Sequence, residues 1–293
     1  MLCMLKTVDV VADFGAKGDG IADDFAALQA ALDSLKETGG TIHFPEGVYM
    51  LSDCLVFYSN QILDLDKKAV LRRMKLGRKE EPKELRYVIA SYTEDTEEYG
   101  LYNGTHDVII RGGVFDGNAE LHENQKITLL NTCHCRNITV DGCSFVNCAE
   151  WHCIEFNSTE DSVIENCFFD GPSYTKWQRR TELIQFDVPK LNNYGPVFYP
   201  DGTEMEFVWG LTVCRNIKVR GNTFLCGDFA AIGNHDDWWH HDIEIYNNRF
   251  IGKPGYRGYV TFMSRSYNIF IHDNIIEDEQ YKDLMTIPEE AQN

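Results

Sequence analysis

Three short runs set carboxylates, amides and histidines among apolar residues at near-alternate positions: WHCIEFNS (151–158), ELIQFDV (182–188) and FAAIGNH (229–235), the last continuing into Asp236 and Asp237. On an extended strand alternate residues share a face. With Ile154, Phe156, Ile184, Phe186 and Ile232 turned inward, the outward side presents His152, Glu155 and Asn157, then Glu182, Gln185 and Asp187, then Asn234, His235, Asp236 and Asp237. Strands stacked side by side lie about 4.8 Å apart, which brings carboxylates on neighbouring strands to roughly 5–10 Å from each other. That range covers both geometries of two-carboxylate glycoside hydrolysis, in which one carboxyl protonates the leaving oxygen and the other activates water or attacks the sugar. Glu155, flanked by Trp151, Ile154 and Phe156, fits the acid role because partial burial raises a carboxyl pKa. Asp187, near Glu182, fits the base or nucleophile; His152, His235 and Asp236 complete the catalytic candidates.

The same residues leave a lyase open as an alternative. Glu155, Glu182, Asp187 and Asp236 have the oxygen chemistry that holds Ca²⁺, and Lys126, Arg179, Arg180 or Lys190 has the chemistry of a base. Between the runs, GPSYTKWQRR and PKLNNYGPVFYPDG are rich in aromatic and turn residues. Tyr174, Trp177, Tyr194 and Tyr199 there, with Trp238 and Trp239, have flat faces that stack on sugar rings, and Arg179 adds a hydrogen-bonding fork. The substrate-binding candidates are thus Trp151, Asn157, Tyr174, Trp177, Arg179, Gln185, Asn234, Asp237 and Trp238. HDDWWHH (235–241) has metal-ligand chemistry, but strand alternation scatters its side chains over both faces, so no resident metal or other cofactor is expected beyond the calcium alternative.

What must position these residues is a repeat. DVIIRGGVF (107–115), NITVDGCSF (137–145), SVIENCFF (162–169), NIKVRGNTF (216–224), DIEIYNNRF (242–250) and NIFIHDNII (268–276) each alternate, pass a Gly, Asn or Asp, and end on Phe or Ile. Their last residues are 30, 24, 55, 26 and 26 apart; the long step reads as two turns carrying an insertion. A period near 25 made of short strands and tight turns is that of a β-solenoid, whose coils bury a common core by stacking. A second apolar run in each coil, including KITLLNT (126–132) and RGYVTFMS (257–264), forms a further parallel sheet with Val260 and Phe262 inward. In-register stacking also brings together Asn222, Asn248 and Asn274, which predicts a buried asparagine ladder at a turn. Asn103, Asn137 and Asn157 open glycosylation triplets, a competing use for those positions.

A solenoid end exposes strand edges and needs a cap. Asp23 or Asp24 can cap a helix whose Phe25, Leu28, Leu32 and Leu35 recur at helical spacing, and that helix covers the first coil. The reading is a single domain over 1–293, with the cap and first strands at 8–50, a loop insertion at 170–210 and a polar tail at 280–293. A formal net charge of −19 argues against nucleic acid or an anionic membrane as partner. No apolar run approaches the roughly 18 residues of a membrane span. The opening MLCMLKTVDV lacks the long apolar core of a secretory leader, as expected of a cytoplasmic chain or of one whose leader has been removed. Ten cysteines in apolar segments, without metal-ligand spacing, are expected as reduced, buried small hydrophobes.

The stretch D-F-G-A-K-G-D-G-I-A-D-D (13–24), the helix through Leu28, and G-G-T-I-H-F-P-E-G-V-Y (39–49) resemble the N-terminal signature of the pectate-lyase-like superfamily, with Phe25 where a threonine is usual. The resemblance implies an all-β, single-stranded right-handed parallel β-helix with an N-terminal capping helix. It implies a carbohydrate-active protein that acts on a polysaccharide or oligosaccharide, as a monomer or small homo-oligomer: a glycoside hydrolase, or alternatively a calcium-dependent lyase. Of the polygalacturonase-type residue set only the pair Asp236-Asp237 stands, and in the wrong coil order, so no residue role follows from a characterised member. The alternative of another class is a non-catalytic carbohydrate-binding adhesin or tail-spike module.

Overall fold

The protein, seen in a computed structural model, is described over residues 6–74, 87–92, 101–121, 127–148, 151–170, 182–188, 212–226, 230–234, 239–252, 259–277 and 285–286. Each repeat makes one coil of three short strands, and equivalent strands of successive coils pair in parallel, which gives sheets of nine, nine and eight strands among the described residues. The first sheet runs from Thr7–Asp9 to Ser266–His272, the second from Asp19–Asp23 to Ile275–Ile276, and the third from Leu55–Phe57 to Met285–Thr286. This is the parallel β-helix the periodicity predicts.

Register is locked by what stacks inside. Phe115, Phe145, Phe169, Phe224 and Phe250 form one column of buried rings, with successive centroids 5.0, 5.2, 4.7 and 5.0 Å apart. That spacing is the interstrand distance itself, so an inward ring every coil meets its copy face to face.

The column also corrects the coil count. Phe169 pairs with Phe224 directly, and Glu160–Glu165 lies against Arg215–Arg220. The 55-residue step is therefore one coil, not two, interrupted on both sides of its third-sheet strand Glu182–Asp187. Sequence distance between repeats measures loop length as well as coils, and loop closure costs rise only slowly with length.

The asparagine ladder forms as predicted. Asn222 Nδ2 donates to Asn248 Oδ1 at 3.0 Å, and Asn248 Nδ2 to Asn274 Oδ1 at 3.1 Å. The same side chains serve the backbone: Asn248 Oδ1 accepts from the N–H of Asn222, and Asn248 Nδ2 donates to the carbonyl of Val219. The left-handed backbone at this corner belongs to the residue before each rung, Gly221, Asn247 and Asp273. Replacing Asn248 by leucine strands both backbone groups in a buried corner at roughly 1–3 kcal/mol for each group left unpaired. Urea unfolding is expected to show that loss; a midpoint within error of the parent would remove the ladder's structural role.

The helix α1, Phe25–Asp33, caps the first coil. Its Leu28 and Leu32 are buried, as is Leu35 just beyond it, while Phe25 packs at the margin. Gln29 completes the edge strand Leu55–Phe57 by accepting from the Val56 N–H and donating to the Val56 carbonyl, as a neighbouring strand would. Asp23 Oδ1 accepts from the N–H of Phe25, the first residue of the helix, at 3.1 Å, whereas Asp24, at the N-cap position, makes no side-chain bond to the helix. Asp24 instead turns its carboxylate back onto the N–H groups of Lys17 and Gly18, at 2.6 and 3.0 Å, and so closes the glycine-rich loop. Among the described cysteines, Cys54, Cys133, Cys135, Cys143, Cys148, Cys153, Cys167 and Cys214 are all free thiols and buried.

Candidate functional site

The third sheet carries the predicted site, and its strands depart from simple alternation. In four successive coils two consecutive residues enter the core: Leu129 and Leu130, Cys153 and Ile154, Leu183 and Ile184, Ala231 and Ile232. The departure lets residues on both sides of the pair share the outer face. Thr128 thus reaches Glu155 Oε2, 3.5 Å away, although strict alternation from Leu130 would turn Thr128 inward.

The outer face is a grid set by the pairing register. Asn131, Glu155 and Gln185 form its middle column, and Cys133, Asn157 and Asp187 the next. The strands continue on the other side to Thr128, His152 and Glu182. His152 Nδ1 lies 2.8 Å from the Glu182 carbonyl and 3.8 Å from its Oε2. Glu182 is therefore placed against His152, a strand bend away from Glu155, and the carboxylate diagonal to Glu155 is Asp187. A coil spacing of about 4.8 Å and a two-residue offset set their backbone positions about 8 Å apart.

One expectation is overturned here. These residues do not meet solvent: Glu155, Asn157 and Glu182 are fully buried, and Asp187, Gln185 and His152 are at most 3% exposed. Trp151, also buried, sets its ring 6.0 Å from that of His152. Burial of Asn157 excludes it as a glycosylation site. Burial also changes the chemistry of Glu155, because desolvation disfavours the charged carboxylate and the Asp187 charge adds to that. Its pKa is pushed up to about 8, with Asn157, Asn131 and Thr128 drawing it only part of the way back. Glu155 accordingly keeps its proton at neutral pH.

Asn234 is a second correction. It continues the column of Phe156 and Phe186 toward Met263, all core residues, and its Nδ2 donates to Ser266 Oγ in the interior. Two residues from inward Ile232, it shares that residue's face. His235, Asp236, Asp237, Trp238, Tyr174, Trp177 and Arg179 lie outside the described residues, as do Tyr194, Tyr199, Lys126, Arg180, Lys190 and the side chains of Val260 and Phe262. Trp239 is described and is 43% exposed. Among the described residues no group of three or more His, Cys, Asp or Glu is arranged to hold a metal ion.

Sequence reasoning missed Asn131 and Thr128. Superposing TLLNTC on HCIEFN, coil on coil, would have put Asn131 beside Glu155 and Thr128 beside His152.

Comparison with known proteins agrees with this fold. Residues 8–64 match the family model described as rhamnogalacturonase A/epimerase, pectate lyase-like. The plasmin and fibronectin-binding protein A of Streptococcus pneumoniae is 27% identical over 266 residues, which cover 82% of this chain and 35% of that protein. The chain thus spans about a third of the length of that curated relative. A crystal structure of PfbA, a surface adhesin of the same organism, superposes with a TM-score of 0.75 at 21% identity, covering 95% of this chain and 66% of that one. A family 28 exopolygalacturonase of Yersinia enterocolitica gives 0.61 at 16% identity, covering 95% and 67%. The chain has the pectate-lyase-like parallel β-helix fold, shared by carbohydrate-active enzymes and by an adhesin.

Proposed function

We propose that the chain binds a carbohydrate at the outer face of its third sheet and hydrolyses a glycosidic bond there. The observation that carries this reading is the placement of a fully buried Glu155, its pKa pushed up to about 8, diagonal to Asp187 on the next coil. A carboxylic acid that gives a proton, with a second carboxyl beside it, is what the reaction requires. Glu155 gives its proton to the departing glycosidic oxygen. Asp187 takes a proton from the water that attacks the anomeric carbon. His152 and Glu182 brace the edge of the site, while Gln185 and Asn157 hold sugar hydroxyls.

The reading is tested by incubation with neutral and uronate-containing polysaccharides, with and without EDTA, following both reducing ends and the absorbance of unsaturated uronate. New reducing ends without that absorbance are expected, and EDTA should leave them unchanged. Unsaturated product that disappears with EDTA would replace hydrolysis by calcium-dependent lyase chemistry.

A second reading is favoured by similarity to a plasmin and fibronectin-binding protein along 82% of this chain. In that reading the β-helix is a binding module without turnover. Retention on immobilised plasmin or fibronectin, with no cleavage of any glycan in the panel, is the result that would install it.

A further inference from the structure

Three residues on the outer face of the third sheet hold polar atoms that the protein leaves unmatched. Asn131 Nδ2, Glu155 Oε1, and both Nδ2 and Oδ1 of Asn157 are buried and meet no partner at full hydrogen-bond geometry among the described residues, although the two amides stand close enough to Glu155 to draw its pKa down. They are neighbours: Asn131 is the direct partner of Glu155 across the parallel ladder, and Asn157 lies two residues further along the strand of Glu155, on the same side. Each buried donor or acceptor left unmade costs about 1–3 kcal/mol. Four such atoms on three adjacent side chains are a cost that a ligand, rather than the fold, recovers.

Their chemistry says what kind of ligand. The two amide nitrogens donate, Asn157 Oδ1 accepts, and the carboxyl of Glu155 does either according to its proton. A hydroxyl donates and accepts at once, so neighbouring hydroxyls on a sugar ring satisfy this mixed set. A carboxylate only accepts. It would leave Asn157 Oδ1 unmatched and would sit among Glu155, Glu182 and Asp187 on a nine-residue face that holds no lysine or arginine.

We propose that Asn131, Glu155 and Asn157 form a subsite for the hydroxyl groups of a neutral sugar. This rests on the reading of the face as a glycan site and names the sugar class that it takes. Neutral hydroxyls enter without adding a charge beside Asp187, and in binding they complete the hydrogen bonds of the two asparagines.

The test separates binding from turnover. Neutral disaccharides built from glucose, galactose, mannose and rhamnose, together with digalacturonate, are titrated calorimetrically into the parent chain and into Asn131→Leu and Asn157→Leu, and the urea midpoint of each protein is measured alongside. At least one neutral disaccharide is expected to bind more tightly than digalacturonate, and either substitution should weaken it tenfold or more. Asn131→Leu should unfold at an equal or higher urea concentration, since it removes a buried polar atom that meets no partner at full hydrogen-bond geometry. The proposal is overturned if digalacturonate binds best, if no neutral disaccharide binds, if leucine at 131 and 157 leaves affinity unchanged, or if Asn131→Leu is clearly destabilised. Hydrolysis of a uronate polymer accompanied by tighter digalacturonate binding would sink this subsite and leave the hydrolase standing. A neutral sugar bound but never cleaved would do the reverse.

Discussion

Glu155→Gln is expected to lower turnover roughly 10²–10⁴-fold, the usual contribution of a positioned general acid, while the coil around it stays packed. Glutamine matches the carboxylic acid in size and accepts from Thr128 as Glu155 does, but it has no proton to give to the leaving oxygen. Since the acid works in its protonated form, activity of the parent should fall as pH rises through about 8. The same side chain shapes stability. A carboxyl whose pKa is raised on folding binds its proton more tightly in the folded chain. Its stabilising effect is complete below its ordinary range and is lost as pH climbs from about 4.5 through about 8, levelling off above. At about 1.4 kcal/mol per pKa unit the loss is on the order of 5 kcal/mol. Urea unfolding at pH 5 and pH 9 should show that decline in the parent and a flatter dependence in Glu155→Gln. Equal slopes in the two proteins would mean that Glu155 ionises freely, and the acid assignment would fall with it.

Phe169→Ala is expected to cost roughly 3–5 kcal/mol, as for other buried phenylalanines. Phe169 is fully buried between Phe145 and Phe224, with rings 5.2 and 4.7 Å away, and its loss opens a gap in the aromatic column. The coil affected is the one that takes 55 residues from Phe169 to Phe224, where the column joins Phe168–Asp170 to Thr223–Cys226. Phe168, the adjacent residue, points outward and is 36% exposed, so Phe168→Ala should stay within about 0.5 kcal/mol. Chemical denaturation of the two variants side by side decides the point; similar losses for both would mean that the column does not set the register.

The repeat was legible because a parallel β-coil imposes period two within strands and a fixed inward residue per coil. Phe115, Phe145, Phe169, Phe224 and Phe250 could be lined up by eye, and the asparagine ladder followed from the same alignment. The candidate site was legible in part. Glu155, Asn157, Gln185 and Asp187 were found by alternation and do share a face. Placing Asn234 outward went against alternation, since it shares the inward parity of Ile232, and alternation cannot explain how Thr128 reaches Glu155 past two successive core residues.

The sequence by itself therefore determined the coil, its capped end, the stacked core columns and the group of acids and amides on one sheet, because each depends on local periodicity or on residues repeating at equivalent places. Only the tertiary structure decided how many coils the 55-residue step contains, that Asp187 rather than Glu182 is the acid diagonal to Glu155, that Asn131 stands beside it, and that the whole face is buried. Those facts depend on which strands pair across long stretches of sequence and on what excludes water. Neither is encoded in a local pattern, and the second is what raises the pKa of Glu155 and makes its chemistry.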